Sequence, residues 1–261
     1  MKANDFREHC RQVAYWVDWD KTVDQFMHGD PEAEVRGIAV TWLATNARLR
    51  EAASLGLNFV ISHEGAFYPH YVGTPSGDQH HAAKHALMDE LGITLMRCHD
   101  TWDRMPEVGI PDAWATSLGF PTEPRPVESF YRVCLTGGRT VAEVAQMVLE
   151  KVRPLGQQFV GIVGDRDARV ERMVVGTGAI TRLGHMHELG ADLVLATDDG
   201  ISTTASGLWS LDLGVPMLII NHATAELPGM QALAGYIEQH FPGVPVRYLP
   251  CEFPYQVIVE V

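Results

Sequence analysis

Four times along the chain a Leu-Gly pair precedes a short apolar run that ends in histidine or aspartate. Leu55-Gly56 leads into "LNFVIS" and His63, and Leu91-Gly92 into "ITLMRC" and His99. Leu189-Gly190 leads into "ADLVLAT" and Asp198, and Leu213-Gly214 into "VPMLII", Asn221 and His222. A glycine after a helix-like stretch is the usual left-handed stop of a last helical turn. A bounded apolar run of this length reads as a strand buried on both faces. Helix, glycine and buried strand in repetition is the grammar of β-α-β units, which build parallel sheets.

The flanks agree with that reading. "RGIAVTWLA" predicts a strand and "TNARLREAASLG" a helix closed by Gly56, so residues 36–62 form one β-α-β unit. "HHAAKHALMDELG" predicts a helix, "ERMVV" a strand, and "GTGAITRLGHMHELG" a turn and helix. The opening stretch, up to about Asp30, predicts a helix, because "FREHCRQVAYWVDW" spaces its apolar residues by threes and fours. "LGLNFVISHEG" aligns with "LGADLVLATDDG" almost position for position, as an internal duplication would. The local likeness of helix-glycine-strand units accounts for the match equally well. The proline-rich "GFPTEPRP", residues 119–126, predicts a boundary. The expected fold is α/β, with an N-terminal lobe over 1–125 and a C-terminal lobe over 126–261, parallel-rich sheets in both, and the last ~30 residues able to return to the first lobe.

Charge narrows the function. The 261 residues carry a net charge of -13, which argues against non-specific binding to nucleic acid or anionic membrane. The N-terminal "MKANDFREHCRQ" lacks the apolar core of a signal peptide, and no apolar run approaches the roughly 20 residues of a membrane helix. Cys10, Cys98, Cys134 and Cys251 are far apart and form no CxxC, which fits reduced thiols in a cytoplasmic protein.

In open α/β sheets, ligands bind beyond the carboxyl ends of the parallel strands. There the pleat breaks, and adjacent side chains such as His63 and Glu64 can turn into one crevice. "RCHDTWD" offers His99, Asp100 and Asp103 at the same point of the next strand, and "INHATAE" offers His222 and Glu226 after the last one. Imidazole and carboxylate without thiolate suit Fe, Mn, Zn, Co or Ni more than Mg or Ca. Five or more such groups exceed one tetrahedral site and would fit two ions about 3.5–4 Å apart. Any single His or Asp at a strand end is commonly a hydrogen-bonded cap, so the weight lies in three clusters after three strands.

Other motifs carry less. "GTGA", residues 176–179, lacks full phosphate-loop spacing and reads as a tight turn. Asp198 and Asp199 fit residues that hydrogen-bond a metal ligand or touch a substrate, and fit solvated loop acids as well. "HMHE", residues 185–188, alternates around a helix and reads as an exposed face, as do His80, His81 and His85. His70 and Tyr71 are candidates to line a pocket. No GxSxG or activated cysteine is present, so no catalytic residue is assigned.

The order of His63-Glu64-Gly65, "HDTWD" and "NHATAE", with "MPEVGIPDAWATSLGF" between, resembles the dinuclear-metal-centre family known as GTP cyclohydrolase I type 2-like, or NGG-one-interacting-factor-three-like. The likeness runs nearly the whole chain and includes "GTGAI" and "LGADLVLATDD". It implies a metal site in the cleft between lobes, with His63, Glu64, Asp103, His222 and Glu226 as ligands and Glu226 the bridge. His99, Asp100, Asp198 and His70 stand as candidates to hydrogen-bond those ligands or to touch a substrate. The family places two adjacent histidines where this chain has His63-Glu64, and its His-Thr-x-Leu-Asp reads His99-Asp100-Thr101-Trp102-Asp103 here. A carboxylate at 64 favours Mn or Fe over Zn or Cu. The resemblance further implies two divalent transition-metal ions (Fe, Mn or Zn), a homo-hexameric ring, and a metal-dependent hydrolase in which the ions make a hydroxide nucleophile. A nucleotide-like or heterocyclic small molecule is the implied substrate. The alternatives are a metal-handling or cofactor-assembly protein without turnover, and a scaffold with structural metals.

Overall fold

The computed structural model describes residues 1–68, 72–179, 181–251 and 253–258. The chain starts with helix α1 (Ala3–Val13), then strands β1 (Phe26–His28) and β2 (Ile38–Thr41). Helix α2 (Asn46–Ser54) is capped by Thr45, whose side chain accepts from the backbone N–H of Arg48. Strand β3 (Phe59–Ser62), helix α3 (Pro75–Leu91), strand β4 (Thr94–Arg97) and helix α4 (Asp100–Arg104) follow. Helix α3 ends on Gly92 at φ 63, the left-handed stop that the Leu-Gly pattern predicts. Then come α5 (Ile110–Leu118), β5 (Arg132–Thr140) and α6 (Val141–Val152), the last opened by a Thr140–Glu143 capping box. Strands β6 (Gly161–Val163) and β7 (Arg169–Val175), helix α7 (Leu183–Glu188) and strand β8 (Leu193–Thr197) precede α8 (Leu208–Leu213) and β9 (Met217–Ile220). Helix α9 (His222–His240) and strand β10 (Val246–Tyr248) complete the run.

The opening helix is shorter than its apolar spacing predicts. It stops at Val13, and the segment to β1 is turns. The backbone carbonyl of Asp18 accepts from the N–H groups of Lys21 and Thr22, and its carboxylate accepts from Asp20 N at 3.2 Å. Of these, only the bond to the Asp18 carboxylate is the side-chain kind that competes with a helix ladder, and it lies beyond the point where α1 stops.

The chain groups into two compact units. The first is Met1–Met105 with Met230–Cys251, and the second is Pro106–Gly229 with the C-terminal end of the chain. The division falls at Met105/Pro106, and the proline-rich 119–126 lies inside the second unit. The reason is packing: Trp114, Ala115 and Leu118 of α5 and Phe120 share one core with α6. Residues 230–251 count with the first unit, so the chain passes from one to the other within α9.

The first unit holds a five-stranded sheet of order β1-β4-β3-β2-β10. All its neighbours are parallel except β1, which runs antiparallel to β4. Strand β3 is buried along its whole length. Val60 packs with Leu49 and Ala52 of α2 and with Leu87 and Met88 of α3, while Phe59 turns the other way onto Phe6 of α1. That two-sided burial is why its sequence reads as an unbroken apolar run.

The second unit holds a five-stranded sheet of order β5-β7-β8-β9-β6, parallel at its centre and antiparallel at both edges. Leu193 and Leu195 of β8 face the core of α5 and α6, and Val194 and Ala196 face the core that includes Leu183 and Met186 of α7. Alternation across a strand buried on both faces produces the pattern. The chain is therefore α/β with two parallel-rich sheets.

Candidate metal-binding clusters

In the first unit, β3 and β4 run parallel with Ser62 opposite Arg97, so both strands end side by side. His63 and Glu64 leave one end, and Cys98 and His99 leave the other. His63 is fully buried. Its Nδ1 lies 3.2 Å from the carbonyl of Cys98, to which it donates, and this fixes Nε2 as the ring's lone pair. That Nε2 lies 3.3 Å from Asp103 Oδ1. His99 stacks on His63 with centroids 4.5 Å apart, and its Nδ1 lies 3.3 Å from Asp103 Oδ2. One ligand atom from each of His63, His99 and Asp103 falls within 4.8 Å of the other two.

Asp100 and Asp24 hold this arrangement. Asp100 accepts from His99 Nδ1 at 3.0 Å and from Thr22 Oγ1 at 2.7 Å. The bond from His99, with that from Thr22, holds its carboxyl well below the usual carboxylate range despite partial burial. Burial works against a charged His99, but Asp103 and the bond to Asp100 leave its pKa raised. The carboxylate of Asp24, itself fully buried, accepts from the N–H groups of His99 (2.6 Å), Asp100 (2.9 Å) and Thr101 (2.8 Å). It caps α4 from a distant loop and so sets where His99 and Asp103 stand.

Glu64 is engaged by a cation. Arg97 Nη2 donates to Glu64 Oε2 at 2.8 Å, and Arg97 Nε donates to the carbonyl of His63 at 2.9 Å. The other oxygen, Oε1, lies 3.9 Å from His99 Nε2.

The second unit carries a matching junction. Strands β8 and β9 run parallel with Thr197 opposite Ile220, which sets Asp198-Asp199 beside Asn221-His222. Asp198 accepts from the backbone N–H of His222 at 3.1 Å and from Asn221 Nδ2 at 3.0 Å, capping the start of α9. His222 donates from Nδ1 to Asp199 Oδ2 at 2.6 Å and from Nε2 to Glu226 Oε1 at 3.0 Å, one helical turn on. Burial disfavours an imidazolium here, yet Glu226 and Asp199 outweigh it and raise His222 to about 11. With both ring nitrogens donating, a metal bound through His222 would have to displace one of these protons.

The "GTGA" turn is packed against this pair. Gly178 has φ +67, and a Cβ there would lie 3.0 Å from His222 Nε2 and 3.5 Å from Glu226 Oε1. Its carbonyl accepts from Thr181 Oγ1 and Thr197 Oγ1, both at 3.0 Å.

Of the residues singled out in the sequence, His63, His99, Asp100 and Asp103 come together in the first unit, and Asp198, Asp199, His222 and Glu226 in the second. His70 and Tyr71 lie outside the described residues. His80 is exposed on α3, whereas His85 turns inward, its Nδ1 2.9 Å from that of His28. His185 of "HMHE" is exposed. Asp24 and Arg97 went unread. Arg97 adjoins the "CHD" cluster, which is a usable signal, but nothing local marks Asp24. The donor set of the first cluster, two imidazoles and a carboxylate, fits a divalent transition metal better than Mg or Ca. Among the described residues, no helix is long and apolar enough to cross a membrane.

Comparison with known proteins places these features. A family model described as Duf34/NIF3 (NGG1p interacting factor 3) matches residues 2–252. No curated protein matches the chain. Among solved structures, it is similar to a Bacillus cereus protein related to NIF3, at 12% identity and TM-score 0.80 over 99% of both chains. It is also similar to the Staphylococcus aureus hypothetical protein SA1388, at 17% identity and TM-score 0.79 over 99% of both chains. A third similar structure is reduced HcgD from Methanocaldococcus jannaschii, at 17% identity and TM-score 0.69 over 95% of this chain and 98% of that one. At these identities the likeness speaks for the fold.

Proposed function

The chain belongs to the Duf34/NIF3 family, and on that premise we propose that it is a metal-dependent hydrolase acting on a nucleotide-like or heterocyclic small molecule. The observation that carries the metal is the convergence of His63, His99 and Asp103, with the His63 lone pair already turned toward Asp103 by the Cys98 carbonyl. A ligating histidine ordinarily donates its other ring N–H to a carbonyl or carboxylate in this way. In this reading His63 and Asp103 are ligands. His222 and Glu226 join them on the strength of the resemblance, as do a second ion and the homo-hexameric ring. Glu64 belongs to the set through the charge it brings. A cytoplasmic location rests on the sequence alone.

A divalent ion bound there supplies Lewis acidity toward a polarised bond. The protein's own part is orientation. Asp100 keeps the proton on His99 Nδ1, Asp24 fixes the helix that carries Asp103, and Gly178 lets its turn approach His222 and Glu226.

The test is reconstitution of chelated protein with Mn, Fe and Zn, followed by assay against nucleotides, pterins and phosphoesters. We expect multiple turnovers with at least one substrate, abolished in Asp103→Ala while the circular dichroism spectrum is unchanged. Turnover that survives exhaustive chelation rules out a metal-dependent mechanism.

A further inference from the structure

Helix α3 brings a separate pair of histidines together at the edge strand β1, away from the strand ends described above. His81, His85 and Asp89 recur every fourth residue of α3, so they share one face of the helix. His28 ends β1 and pairs with Leu95 of β4, four residues back from His99 and roughly 13 Å along an extended chain. Its Nδ1 lies 2.9 Å from His85 Nδ1, and its Nε2 lies 3.1 Å from Asp89 Oδ1. The carboxylate draws the His28 proton to Nε2 and leaves a lone pair on Nδ1, so His85 Nδ1 donates across the gap. Phe67 fixes the plane of the His85 ring by stacking on it, with centroids 4.4 Å apart and 21° from parallel. Burial, and then His28 and His81, push the His85 pKa below its ordinary value against the pull of Asp89, so this ring is neutral near physiological pH.

We propose that His28 and His85 form a transition-metal site of their own, taking Zn²⁺, Cu²⁺ or Ni²⁺ through their two Nδ1 atoms. The site does not depend on the metal-binding reading above. Its donors are imidazole alone, which suits these ions and not Mg or Ca. A carboxylate on the far nitrogen, as Asp89 is on His28, is what orients a ligating histidine. The ion takes the place of the shared proton, and His85 shifts that proton from Nδ1 to Nε2, so none is lost. Two Nδ1 atoms on a tetrahedral Zn²⁺ stand about 3.4 Å apart, so from 2.9 Å the rings part by only about half an ångström. Water fills the remaining positions, and Asp89 acts as a positioning residue.

The test is Zn²⁺ titration of the ¹⁵N-labelled protein, followed at the imidazole nitrogens, with bound metal counted by equilibrium dialysis. At micromolar Zn²⁺ the Nδ1 resonances of His28 and His85 should move to metal-bound positions, and the His85 proton should appear on Nε2. His28→Gln and His85→Gln should each bind one equivalent fewer than wild type. Asp89→Ala should weaken this site at least tenfold. His28 and His85 resonances that stay in place, or that move only at millimolar Zn²⁺, overturn the proposal. The pair is then a hydrogen bond that ties α3 to the edge strand. Variants that bind as many equivalents as wild type overturn it too. If a variant fails to fold, the wild-type spectra decide alone. His63 and His99 report in the same spectra. Shifts there with none at His28 and His85 sink this site and leave the metal-binding reading standing, and the reverse sinks only that reading.

Discussion

The imidazoles of His63 and His99 lie 15° from parallel, 4.5 Å apart, with the two oxygens of Asp103 each 3.3 Å from one of them. One carboxylate therefore joins two rings that leave adjacent strands. Removing its charge should leave the rings in place and take away the only anionic ligand of the trio. Asp103→Asn is expected to weaken Mn²⁺ or Zn²⁺ binding at least tenfold, about 1.4 kcal/mol. It should also erase the metal-induced rise in melting temperature, which scales with ligand occupancy. Equal melting shifts in both proteins would show that Asp103 is not a ligand.

Asp24 should matter to metal binding without touching metal. Its buried carboxylate takes three N–H groups at the start of α4, the helix that bears Asp103. Asp24→Ala orphans them, at a cost of roughly 1–3 kcal/mol. Urea denaturation should show that loss, and titration should show weaker metal binding as His99 and Asp103 lose their fixed positions. Asp24→Asn, which keeps an acceptor oxygen, should recover most of both. A loss of stability with metal affinity untouched would confine Asp24 to the fold.

The strand ends were legible because each is written locally. A buried strand reads as an apolar run, and the first polar residue after it falls at the carboxyl edge of the sheet. That is how His63, His99, Asp198 and His222 could be picked from spacing. The groups that arrange them come from elsewhere in the chain. Asp24 is 75 residues from His99, and no periodicity links a loop acid to a helix it will cap. The turns after Val13 escape the same pattern, because the apolar spacing of "VAYWV" persists past the point where the helix stops.

Lys84 gives a prediction in pH. Its side chain is 1% exposed, donates to the Ala66 carbonyl at 2.7 Å, and lies over the Tyr68 ring at 5.6 Å. Burial pushes its pKa down from 10.5 to about 8. Between those values the unfolded chain holds a proton that the folded one has released, so this group makes stability rise with pH across that window. The full effect is about 3 kcal/mol. Other lysines, tyrosines and thiols titrate there too, so the readout is a difference: Lys84→Met should remove the rise relative to wild type between pH 8 and 10.5. Parallel stability curves for the two proteins would mean that Lys84 is not desolvated.

Two glycines of "GTGAITRLG" should behave oppositely. Gly178 sits at φ +67 with the His222 ring where a Cβ would go, whereas Gly184 lies in α7 with open space around it. Gly178→Ala meets a left-handed backbone penalty of about 1–2 kcal/mol and pushes on His222 Nε2 as well. Gly184→Ala meets neither and should stabilise α7 by up to about 1 kcal/mol. Thermal melts should separate the two variants in sign. The His222 imidazole resonances should move in Gly178→Ala alone, because only that turn touches the bond between His222 and Glu226. If both variants melt alike and leave those resonances in place, the turn does not press on the pair. The left-handed glycine would then serve only to reverse the chain between β7 and α7.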